Sequence, residues 1–130
     1  GDISDLSDED LMELFAQLTA FSNFLAAQYA CAMIDERRAE KALDSAESMA
    51  MLSAFNGKAS KDTVTMLKAQ VASDPNIVKL NEAYDAKYSY RKLIEVMVNN
   101  AERDTSLVSR ELTRRTSGSS TRSRQGRIFA

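Results

Sequence analysis

Apolar residues along the chain recur at alternating spacings of three and four. Leu11, Leu14, Leu18, Phe21 and Leu25 open the pattern, and such a period places one stripe along one face of an α-helix. Ser7, with Asp10 three residues later, approximates a capping box and sets the start of that helix. From Ile34 to Ala54 the stripe thins to alanines and methionines, with Ala39, Leu43, Ala46 and Ala50 along it, which permits close approach of a neighbour on one side and solvent on the other. The first interior glycine is Gly57, inside "NGKASKD"; this stretch predicts a turn, with Ser60 capping a short helix from Lys61 to Ala72. "SDPN" ends it. Asp74 as N-cap and Pro75, the only proline, at the first helical position predict a third helix. Its apolar positions are Ile77, Leu80, Tyr84, Ile94, Val98, Ala101, Val108 and Leu112, and it is expected to close near Arg115. No segment alternates as a strand would. The fold class predicted is all-α: two long helices and a short connecting helix, bundle-like or coiled-coil-like.

Helix length carries a consequence. At about 1.5 Å per residue, the first helix is expected to span roughly 70 Å and the third roughly 60 Å. A single antiparallel pair of that size is expected to leave apolar seam uncovered, so self-association into a helical oligomer is expected through Leu11, Leu14, Leu18, Phe21, Leu25, Ile94 and Val98. Residues 1–115 form the expected helical oligomerisation domain. Residues 116–130 replace apolar side chains with Thr, Ser, Gly, Arg and Gln, and a segment that can bury nothing is expected to stay a flexible Arg-rich tail until it meets a partner.

Charge sharpens this picture. The 130 residues carry a formal charge of only −2, but it is unevenly placed. Residues 1–90 hold 8 Lys/Arg against 15 Asp/Glu, net −7, whereas residues 91–130 hold 9 against 4, net +5. An acidic body with a basic end points to a polyanionic or acidic partner for that end. Cys31 is the single cysteine; an intramolecular disulfide is excluded, a small buried side chain is expected, and a reducing, cytoplasmic setting is the default. "GDISDLSDED" is acidic where a signal peptide is basic, Gly1 in place of Met reads as a processing scar, and "FLAAQYACAMI" is too short to span a bilayer.

Enzymatic chemistry has little to work with. The chain has no histidine, no Gly-rich phosphate loop and a lone thiol, which removes the usual acid–base triads and histidine metal sites. What survives is carboxylate–Mg²⁺ chemistry, as in helical nucleotide pyrophosphatases, from pairs such as Asp44/Glu47 and Glu82/Asp85. With 19 acids in the chain such pairs arise routinely on solvated helix faces, so no catalytic residue, metal or cofactor is expected.

Nucleic acid fits the residues better. Tyr84, Lys87, Tyr88 and Arg91 fall at i, i+3, i+4 and i+7, with Lys92 four residues after Tyr88, so two rings and several cations share one helix face. Bases stack on aromatic faces while cations follow phosphates, and neither contact demands a particular sequence. The competing explanation is that the tyrosines belong to the core and the Lys and Arg stems pass them to reach water. A second basic set, Lys58, Lys61 and Lys68, lies on the connecting segment; a third, Arg110, Arg114, Arg115, Arg122, Arg124 and Arg127, runs to the C-terminus. After Glu111 there is no carboxylate, so these last arginines are expected to lack a local counter-charge.

A first long helix ending at "MAMLSAFNG", a short helix with "TMLKAQV", the step "SDPNIVKLNEAY" and a long closing helix together resemble the UvsY-like recombination mediators of T-even phages. The resemblance covers roughly residues 15–115 and is most specific in "LKAQVASDPNIVKLNEA"; the closing "ERDTSLVSRELTRR" is similar to small helical proteins of phage recombination and replication gene sets. It implies an all-helical, ring-forming homo-oligomer that binds single-stranded DNA, helps displace the single-strand-binding protein and loads a RecA-like recombinase. In that family the DNA-binding cations precede the Gly turn, where this chain has Met49, Ala50 and Met51. DNA contacts here are therefore expected from the three basic sets already named. A non-enzymatic helical adaptor or phage assembly component is the alternative.

Overall fold

The first long helix begins where the sequence caps it. In the computed structural model of the protein, α1 (Asp8–Ala54) starts directly after Ser7, whose Oγ accepts a hydrogen bond from the Asp10 backbone N–H at 3.1 Å. That bond satisfies one of the donors a helix start leaves unpaired. A short 3-10 turn, Ile3–Asp5, precedes it. After α2 (Lys61–Ala72), the Asp74 carboxylate accepts from the Asn76 N–H at 2.8 Å and opens α3 (Pro75–Phe129), with Pro75 at the position where its missing N–H costs nothing. The structure describes the backbone of residues 2–55 and 61–129, and side chains over 2–55 and 64–118. Among these residues the regular structure is helical throughout. Gly57, Lys58 and Ser60, the expected turn and cap, lie outside the described residues.

α3 does not close near Arg115; it is helical to Phe129. Residues 116–129 contain no proline, and Ser or Thr costs only a few tenths of a kcal/mol in a helix and Gly about 1. Extending a nucleated helix is far cheaper than starting one. The hydroxyls at this end also turn back on their own helix: Thr113 Oγ1 donates to the Ser109 carbonyl at 3.0 Å and Thr116 Oγ1 to that of Leu112 at 2.9 Å.

The chain forms two compact units, residues 1–27 with 95–130, and residues 28–94. In the first, α1 and α3 run antiparallel and bury Leu11, Leu25, Ala101 and Val108. Thr105 Oγ1 donates to the Ala101 carbonyl at 2.7 Å; its proton is thus used, and Ser22 Oγ, 3.1 Å away, is the donor of the bond that ties the two helices. In the second unit Leu43, Val71 and Ile77, one from each helix, form the buried cluster, with Ala46, Ala50, Met51, Leu80 and Tyr84 packed around it. Ala32, Leu67 and Ile94 are buried as well.

The stripe expected to await a partner is thus largely covered by the chain itself. Leu11, Leu25 and Ile94 are buried, Leu14, Leu18 and Val98 half-buried, and Phe21 exposed. Cys31, expected inside, is exposed. It precedes buried Ala32, and one residue turns a helix by about 100°, enough to carry the thiol off the packed face.

Candidate nucleic-acid interface

In unit 28–94 the aromatic and basic residues of α3 separate into two kinds. Tyr84 is half-buried and packs against the Leu43, Val71 and Ile77 cluster; burial, with the Glu40 and Glu36 charges, raises the pKa of its hydroxyl. Tyr88, one turn on, is 41% exposed. Its ring centroid lies 6.4 Å from that of Tyr84, with the planes tilted by 41°. Arg91 Cζ sits 5.1 Å from the Tyr88 centroid and Lys92 Nζ 5.8 Å, both within cation–π range. Lys87 is exposed.

Arg91 is not available as a simple point charge. Its Nε donates to Glu36 Oε2 at 2.6 Å and its Nη2 to Oε1 at 3.0 Å, the two-pronged geometry that matches guanidinium to carboxylate. These bonds, with the nearby charges of Arg91 and Lys92, hold the Glu36 carboxyl below its usual pKa against the opposing effect of burial. The ring of Tyr88 is therefore bordered by two cations, and a carboxylate from α1 holds Arg91 in place. Sequence reasoning missed Glu36. Its place in "DERR" resembles any solvated helix face, and only the pairing of α1 with α3 brings it to Arg91.

The basic end of α3 corrects a second expectation. Arg114 and Arg115 do have local counter-charges. Glu111, three and four residues earlier, accepts from Arg114 Nε and Nη2 at 2.9 and 2.6 Å and from Arg115 Nε at 3.0 Å, since these spacings bring side chains together on a helix. Those bonds pull the Glu111 carboxyl down to about 2. Arg115 also reaches across to the chain start, donating to Asp8 Oδ1 at 2.9 Å and to the Ile3 and Ser4 carbonyls at 3.2 Å. It is a clasp for the N-terminal segment. Arg114 remains largely exposed, and Arg110 is exposed beside Phe15, Thr105, Ser106 and Ser109.

Lys68 is exposed on α2 and lines an open groove with Glu47, Met51, Leu52 and Val71. Lys58 lies outside the described residues, and so do the side chains of Lys61, Arg122, Arg124 and Arg127, whose backbones belong to α2 and α3. Asp44, Glu82 and Asp85 are exposed and Glu47 is half-buried; among the described residues no three acidic or cysteine side chains converge to hold a metal ion. No described helix is long and apolar enough to cross a membrane. No protein-family model, curated protein or solved structure matches the chain.

Proposed function

We propose that the protein binds single-stranded DNA as an assembly of several copies and acts as a recombination mediator in a phage, assisting a RecA-like recombinase where a single-strand-binding protein competes. The observation that carries this reading is Tyr88, an exposed ring with Arg91 at 5.1 Å and Lys92 at 5.8 Å. Such a platform can stack an unpaired base and meet its phosphates, whereas in a duplex the base faces are already stacked. Lys87 is a further exposed cation of the same unit; Arg110 and Arg114 are exposed cations of unit 1–27 with 95–130, and phosphates can meet such charges without sequence preference. The recombination role rests on the family resemblance, and the strand-binding role on these side chains.

The basic end supplies the test. Removing all residues after Thr113 would also remove the Arg115 clasp, so the cleaner variant changes Arg122, Arg124 and Arg127 to Gln and leaves Glu111, Arg115 and Asp8 in place. Titration of a labelled oligothymidylate across several salt concentrations should then give a shallower log–log slope, by about 2 per copy if each arginine meets one phosphate at about 0.7 per contact. An unchanged slope would remove these arginines from the DNA path. The adaptor reading would gain from it, and so would an acidic protein as their partner.

A further inference from the structure

In unit 1–27 with 95–130 the helix pair carries grooves of opposite chemistry. One is lined by Leu14, Leu18, Leu107 and Val108, with the acids Asp2 and Asp104. Another, of about 350 Å³, is lined by Phe15 from α1 and by Thr105, Ser106, Ser109 and Arg110 from α3, and no carboxylate lines it. Ser109 and Arg110 stand three and four residues after Ser106, the spacings that gather side chains on one side of a helix. Thr105 already donates its hydroxyl proton to the Ala101 carbonyl. Among the described residues, the Ser106 and Ser109 hydroxyls and the Arg110 guanidinium have no hydrogen-bond or ion-pair partner. We infer that this groove seats one nucleotide of a single strand, its base against the Phe15 ring and its phosphate on Arg110, with Ser106 and Ser109 donating to the phosphate oxygens.

Each group fits one part of that ligand. A base stacks on an aromatic ring whatever its identity, the guanidinium fork matches phosphate oxygens, and serine hydroxyls supply further donors. The volume lies at the lower end of small-molecule sites, so the seat holds one nucleotide and not a run of them. Charge selects the groove: Asp2 and Asp104 repel phosphate from one, whereas the charge lining the other is positive. Neighbouring cations favour a strand over a free nucleotide. Arg103, seven residues before Arg110, and Arg114, four after it, are exposed and return to within about 20° and 40° of its direction. They stand about 10 Å and about 6 Å along the helix axis to either side, where phosphates flanking the seated nucleotide can meet them. The inference rests on the strand-binding reading but not on Tyr88, which belongs to the other unit.

The test separates the ring from the charge. Phe15→Leu removes the ring while keeping an apolar side chain at a half-buried position, and Arg110→Gln changes an exposed residue. With a labelled oligothymidylate, Phe15→Leu should weaken binding at least about fivefold, by a similar factor at 50 and 200 mM salt, and Arg110→Gln should lower the log–log salt slope by about 0.7 per copy. A strand carrying 5-iododeoxyuridine should cross-link to Phe15 of the unmutated protein on irradiation. Unaltered binding by folded Phe15→Leu, no cross-link at Phe15, or an unaltered slope for Arg110→Gln overturns the seat and leaves the Tyr88 platform standing. Should Phe15→Leu lose helicity, the cross-link and the Arg110→Gln slope decide. No strand binding by the unmutated protein overturns the seat and the strand-binding reading together. Thymidine monophosphate should displace the strand only at millimolar concentration; displacement at micromolar concentration would overturn the strand as the occupant and make it a free nucleotide.

Discussion

Glu36 on α1 holds Arg91 on α3 through two hydrogen bonds, at 2.6 and 3.0 Å, and the same guanidinium lies 5.1 Å from the Tyr88 ring centroid. The pair ties two helices of unit 28–94 and at the same time restrains a cation at the candidate strand-binding face. Glu36→Gln keeps an acceptor but removes the charge. It should lower stability by about 1–2 kcal/mol, since hydrogen bonds to a charged group are worth more than neutral ones. It should also remove a negative charge beside Arg91 and Lys92, tightening oligothymidylate binding and steepening its salt slope by up to about 0.7 per copy. Stability loss with an unaltered slope would make the pair purely structural.

Tyr84 and Tyr88 should part company on truncation. Tyr84→Ala removes a ring from around the Leu43, Val71 and Ile77 cluster and should cost about 2 kcal/mol in denaturant unfolding, with the affinity of the folded fraction unaltered. Tyr88→Ala removes an exposed ring and should cost about 1–3 kcal/mol of strand binding with little change in unfolding. Measuring both quantities on both variants decides the assignment, and the opposite pattern would exchange their roles.

The N-terminal clasp should respond to acid. Glu111 is held from its ordinary 4.5 down to about 2 by Arg114 and Arg115, so its contribution is complete above pH 4.5 and is lost as pH falls from there toward 2. Amide exchange in residues 3–11 should be slow at pH 5, once corrected for the intrinsic pH dependence of exchange, and lose its protection near pH 2. Arg115→Gln should loosen the same segment at pH 7, because it gives up the bonds to Asp8, Ile3 and Ser4. Equal protection at pH 5 and pH 2 would mean that Glu111 does not govern the clasp.

Local signals were legible in the sequence where chemistry is local. Ser7 and Asp74 cap the helices they were expected to cap, and α2 has the expected bounds, because caps and proline act within one turn. The end of α3 was misplaced since Ser, Thr and Gly disfavour a helix only weakly, and the expected end treated a lack of burial as a lack of helix. Cys31 was misplaced because an apolar neighbourhood in sequence does not say which side of a helix is packed. At the candidate site, the i, i+3, i+4 and i+7 spacing did gather Tyr84, Tyr88 and Arg91 on one face. Its division into a core ring and a surface ring depends on α1 and α2, and so does the Glu36 partner. Pairing across 55 residues leaves no local trace.

The central claim is single-strand binding, and the most direct measurement is the affinity of the unmutated protein for a labelled oligothymidylate and for a duplex of equal length, each at 50 and 200 mM salt. The account predicts tighter binding to the single strand at both concentrations, because only unpaired bases can use the Tyr88 ring, and a fall in affinity with salt in proportion to the phosphates met, about 0.7 in log–log slope for each. Equal or tighter binding to the duplex, or no binding to the single strand at 50 mM salt with micromolar protein, would contradict it.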